Sequence, residues 1–80
     1  MRLYNFKTDS GETIAVRPPK LKHYDKLLTA ANDAEAIDAI ADIIDRSADY
    51  VYENFTTDDA KRFISEFPLW VENIKQSDPN

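Results

Sequence analysis

The chain has 80 residues, 42% of them apolar and 31% charged, with no cysteine, one histidine, one glycine and a formal net charge of −5. Without cysteine there are no disulfides or thiolate ligands, and a single imidazole argues against structural zinc. No apolar run approaches the ~18 residues that span a bilayer, and Met1-Arg2-Leu3 does not open a secretory signal. The expectation is one small, soluble, intracellular domain with a modest core, near the low end of size for independent folding.

The charge is unevenly placed. Residues 1–26 carry six cations against three acids, a balance of +3, and the remainder carries four cations against twelve acids, a balance of −8. So acidic a surface is repelled by phosphate backbones, which disfavours nucleic-acid binding. The basic N-terminal part is positioned to complement the acidic part, in the same chain or in a neighbouring copy.

Arg2 to Thr8 and Glu12 to Arg17 read as strands, about 2–8 and 12–17, joined by Asp9-Ser10-Gly11-Glu12. The only glycine falls where a hairpin needs a positive φ, and Ile14 and Val16 alternate against Thr13, Ala15 and Arg17. Pro18-Pro19 stops the ladder. Leu21, Tyr24, Leu27, Leu28 and Ala31 then recur at helical spacing, predicting a helix over about 20–31. Asn32 supplies an N-cap for the next helix, with acids near its positive end.

The dominant periodic segment is 33–54. Ile37, Ala41, Ile44, Ala48 and Val51 form one stripe at ~100° per residue, with Ile40 beside them. Glu35, Asp38, Asp42, Asp45, Asp49 and Glu53 occupy the opposite sector. The pattern predicts one long central helix. Ala36, Ile43 and Tyr50 widen its apolar arc to about 200°, roughly twice what a surface helix needs. Phe55-Thr56-Thr57-Asp58-Asp59 is a further start signal, with Thr56 or Thr57 as cap and Phe55 as staple. A helix over about 57–67 follows, then a break or kink at Pro68, a last helical piece over 68–75 and a disordered polar tail over 76–80. The expected class is α+β, mostly α: an N-terminal β-hairpin followed by a small bundle of three to four helices in one domain, residues 1–75.

Little here points to catalysis. His23 has Asp25 and Lys26 as sequence neighbours but no nucleophile to activate. Ser10 and Ser47 lack an elbow or a glycine-rich oxyanion site, and one glycine excludes phosphate-cradling loops. The acidic row diverges from a straight helix face, whereas calcium needs ligands converging from a loop. No enzyme activity, cofactor or metal is expected. Like charges at i,i+4 cost a helix a few tenths of a kcal/mol each, so the row reads as a solvated or steering surface. The surplus apolar residues Ala36, Ile43 and Tyr50, with Trp70, Val71 and Ile74 near the C-terminus, are the candidate protein-binding residues.

In layout the chain resembles the small tail assembly chaperones of long-tailed bacteriophages and prophages. The similar parts are the hairpin running into Val16-Arg17-Pro18-Pro19-Lys20-Leu21, then Tyr24-Asp25-Lys26-Leu27-Leu28, the long helix, and Phe55-Thr56-Thr57-Asp58-Asp59-Ala60-Lys61-Arg62-Phe63 with Trp70-Val71 beyond. The resemblance implies a non-enzymatic, cytoplasmic protein of the infected bacterium, absent from the mature virion. It would coat the tape measure protein, often as a homo-oligomer, and help tail tube protein assemble around it. A competing class is a small acidic adaptor or host-factor inhibitor, including a DNA mimic, whose binding would be strongly salt-sensitive.

Overall fold

A computed structural model of the chain describes the backbone of residues 2–77 and the side chains of residues 2–74. It is α+β and mostly α: an antiparallel hairpin, β1 (Tyr4–Lys7) and β2 (Thr13–Val16), followed by α1 (Leu21–Leu28), α2 (Asp33–Ile44), α3 (Ala48–Asn54) and α4 (Thr57–Ser77).

Tyr4 pairs with Val16 and Phe6 with Ile14, so period-two alternation sends Phe6, Ile14 and Val16 into the core and Asn5, Lys7, Thr13 and Ala15 to solvent. Gly11, at φ 96°, lets the connection close without a Cβ penalty. Buried Thr8 ties the turn: its N–H donates to the Glu12 carbonyl at 2.8 Å and its Oγ1 accepts from Glu12 N–H at 3.2 Å.

The long central helix expected over 33–54 is two helices. α2 ends at Asp45, which is left-handed (φ 59°, ψ 47°). There the Asp45 and Arg46 amides turn back to the Asp42 and Ala41 carbonyls at 3.3 and 3.0 Å, a Schellman motif formed without glycine. Aspartate tolerates this conformation better than most residues. Ser47 Oγ then accepts from Tyr50 N–H at 3.1 Å and restarts the chain as α3. Apolar periodicity crosses the break almost in phase, which hides it, but Asp45-Arg46-Ser47 carried both stop and start signals.

Pro68 has the opposite outcome. The helices expected over 57–67 and 68–75 are one, α4, running through the proline to Ser77. An interior proline costs about 3 kcal/mol. Burial of Phe63, Phe67 and Val71 on one face, on both sides of Pro68, offsets it. The tail expected from 76 is thus helical at 76–77, and 78–80 lie outside the described residues. At the other helix ends, α1 stops at Leu28, short of the expected 31, because Asn32 is extended to cap α2, accepting from Glu35 N–H at 2.9 Å.

The hairpin lies on α4 through edge-to-face and tilted aromatic contacts. Tyr4 meets Phe63, Phe67 and Trp70 at 6.2, 5.4 and 5.4 Å between centroids, and Phe6 meets Phe55 and Phe63 at 5.4 and 5.2 Å. Phe55, expected as a helix staple, stacks on the hairpin ring of Phe6.

A polar clasp fixes this docking. Asp59 is fully buried, at 0% exposure. One carboxylate oxygen accepts from Asp9 N–H at 3.0 Å and from Arg62 Nη2 at 2.7 Å, and the other accepts from Thr56 N–H at 2.9 Å. Thr56 Oγ1 accepts from Asp59 N–H at 3.0 Å, closing a reciprocal capping box, and donates to Asp9 at 2.7 Å. Arg62 also donates twice to the Lys7 carbonyl, at 3.0 and 2.9 Å, and lies over the Phe6 ring at 4.6 Å. Removing one member strands the other. Asp59→Ala is expected to lower unfolding free energy by roughly 3–5 kcal/mol, and Arg62→Ala by less because Arg62 is partly solvated. Urea unfolding of both, with a double variant costing less than the sum, checks the coupling.

A candidate protein-binding groove

The six residues expected to bind a partner do not share a surface. Ala36, Ile43 and Val71 are buried, and Trp70 is half-buried, stacked on Phe67 at 5.6 Å and tilted against Tyr4. Ile74 is half-buried at the far end of α4. Tyr50 is tied down: its hydroxyl donates to Glu12 in the hairpin turn, and Arg46 lies 5.4 Å from its ring centre. The shoulder of Ala36, Ile43 and Tyr50 is therefore not one continuous exposed patch. The wide arc of α2 is covered by the chain itself, with α1 and α3 packing along it and β2 across it.

The surplus apolar surface is displaced to a groove between α2, α3 and the start of α4. It encloses about 340 Å³. Ala36 and Ile37 come from α2, Val51 and Tyr52 from α3, Phe55 from the α3–α4 link, and Ala60 and Ile64 from α4. Asp33, Thr56, Thr57 and Lys61 add the polar lining. Val51 is buried, while Tyr52 at 60% and Ile64 at 38% exposure stand open to solvent. The Thr56–Asp59 capping box sets the entry of α4, and the Asp45–Ser47 break re-aims α3. Those two joints position the walls. Of the expected binding residues only Ala36 contributes.

The chemistry available is apolar contact with a few hydrogen bonds at the edge, within the size range of sites that accept side chains or small ligands. Among the described residues, no three His, Asp or Glu side chains converge to hold a metal ion. His23 faces Asp42 at 3.7 Å, alongside Lys26 at 3.3 Å from the same carboxylate. The break between α2 and α3 also interrupts the acidic row at Asp45, so it is not one straight line of charge. No helix among the described residues is long and apolar enough to cross a membrane. Comparison with protein-family models, with curated proteins and with solved structures finds no match to this chain.

Two outcomes follow. Ile43→Ala should lower unfolding free energy by about 2–4 kcal/mol, as core truncations do, whereas Tyr52→Ala should change it by less than about 0.5 kcal/mol; urea midpoints separate them. Tyr50 has a raised pKa, first because its hydroxyl donates to Glu12 and then through burial, and Tyr4 and Tyr24 are raised by burial first, with Glu66 and Glu72 adding to it. Folding thus favours the neutral phenols. The stability they contribute is complete below the unfolded value of about 10 and is lost as pH rises through the higher folded values. Thermal melts above pH 10 should show this fall, and Tyr50→Phe should reduce it.

Proposed function

We propose that the chain is a non-enzymatic tail assembly chaperone of a long-tailed bacteriophage or prophage. It binds the tape measure protein and aids assembly of the tail tube around it, in the cytoplasm of the bacterial host and outside the finished virion. The reading rests on the layout of a hairpin leading into helices and, above all, on the groove. An open apolar trough walled by Tyr52 and Ile64 suits the apolar face of an amphipathic helix, with anchors one turn apart. A tape measure protein offers such helices along its length. The acidic exterior keeps a protein with an exposed apolar trough soluble and repels wrong contacts.

Co-expression with the tape measure protein of the same phage or prophage tests this. Wild-type chain should retain it in the soluble fraction and co-purify with it. A Tyr52→Asp/Ile64→Asp variant, shown by circular dichroism to be folded, should lose at least tenfold of the recovered complex. Equal solubility of the tape measure protein with and without the chain would refute the reading.

A further inference from the structure

The two edges of the hairpin are unlike. In an antiparallel pair, one residue pair turns its N–H and C=O groups toward the partner strand and the next turns them outward. Thr8 N–H donates to the Glu12 carbonyl, so Thr8–Glu12 is an inward pair, and the register makes Phe6–Ile14 and Tyr4–Val16 inward pairs too. Lys7 and Asp9 on one side, and Thr13, Ala15 and Arg17 on the other, therefore turn their backbone groups outward. The first edge is closed at its turn end in that phase: the Lys7 carbonyl takes both Arg62 bonds, and Asp9 N–H goes to Asp59. On the second edge Thr13, Ala15 and Arg17 are exposed, and no described residue bonds their outward groups. Small side chains at Thr13 and Ala15 and a register without a bulge leave this edge unshielded.

The charge beside it is one-sided. Arg17 ends the edge, and Lys20 and Lys22 follow directly across Pro18-Pro19. All three are exposed, and none pairs with a carboxylate among the described residues. Residues 17–24 carry these three cations and no acid. At the opposite end stands Glu12, whose carboxylate accepts from Tyr50. A strand laid antiparallel along Thr13–Arg17 thus enters beside the cations and leaves beside an acid.

We infer that the edge of β2 takes up an extended segment of another protein as a third, antiparallel strand, with acids just ahead of its pairing residues to meet Arg17, Lys20 and Lys22. Main-chain bonds to Thr13, Ala15 and Arg17 hold the segment, and the cations select its charge. A two-stranded ribbon gains support from a third strand. From Asp25 to Glu72 this chain's own acids lie in helices or cap them, so a second copy has no such segment to offer there. The site shares no residue with the groove and stands whether or not the groove holds a tape measure protein.

The test is an NMR titration of the isotopically labelled full chain with a synthetic peptide, two aspartates followed by three threonine–valine repeats, up to about 1 mM. Hydrogen exchange at the Thr13, Ala15 and Arg17 amides should slow by about tenfold on binding, while Ile14 and Val16, already bonded to β1, change little. A peptide with lysines in place of the aspartates should bind about tenfold more weakly, and Arg17→Glu/Lys20→Glu should reverse that preference. Ala15→Pro removes an outward N–H without touching the ladder to β1 and should abolish binding. Methylating the peptide's backbone nitrogens removes the same bonds from the other side and should abolish it with the wild-type chain as well. Tyr52→Asp/Ile64→Asp should bind the peptide like wild type. No binding by the wild-type chain, unchanged exchange at the three amides in the complex, or equal affinity for the lysine peptide would each overturn the inference. So would protection of those amides that grows with chain concentration in the absence of peptide, because the edge would then be taken by a second copy.

Discussion

The buried carboxylate of Asp59 is the constraint on which the rest of this small fold depends. A two-stranded ribbon is marginal in water, and this hairpin persists because its turn and its first strand are tied to the N-terminus of α4. Asp9 N–H and the Lys7 carbonyl are claimed by Asp59 and Arg62, so the ribbon's backbone is bonded to a helix fifty residues away in sequence. The same carboxylate closes the capping box that starts α4. A buried charge is costly unless paired and fully hydrogen-bonded. Here it is both, and no described side-chain polar atom is left buried without a partner. The price is rigidity of register: the rings of Phe6 and Tyr4 can meet Phe63 and Phe67 only where the clasp puts them.

That fixed register explains why an internal proline does not end α4. The Phe63–Phe67 stack at 4.8 Å lies just before Pro68, and Trp70 and Val71 just after it. Breaking the helix there would pull apart a continuous aromatic layer holding the hairpin. Burial at several kcal/mol per cluster outweighs one lost backbone bond. With its start fixed by the capping box, α4 presents Ala60 and Ile64 to α2 and α3. The groove is the gap that remains.

Electrostatics and apolar exposure are arranged together rather than separately. The basic helix α1 covers one side of acidic α2, where Lys26 and His23 meet Asp42, and leaves its own leucines outside. The other side of α2 keeps its apolar residues at the groove floor, with the acids facing solvent. One helix thus separates a basic, leucine-bearing surface from an apolar groove.

Much of this was legible in the residues. The hairpin with its glycine, the caps at Asn32 and Thr56, and the alternation burying Phe6, Ile14 and Val16 are local patterns, set by backbone sterics and by unpaired amides at helix starts. Two departures came from the same source, periodicity and propensity read without packing: the helix drawn straight through Asp45–Ser47, where apolar phase masks a Schellman stop, and the separation into two helices at Pro68, read as a break or kink, where aromatic burial keeps one helix continuous. The candidate surface shows a related limit of periodicity. A helical wheel tells which residues are apolar, but not which neighbour covers them, so Ile43 and Val71, offered as interface, are buried in the core, and Trp70 is half covered. By itself the sequence determined the class of fold and the acidic and basic halves. Only the tertiary structure decided that Asp59 and Arg62 pair with the hairpin, that Tyr52 and Ile64 share a groove, and that Leu21 and Leu28 remain outside, because each depends on contacts between residues far apart in the chain.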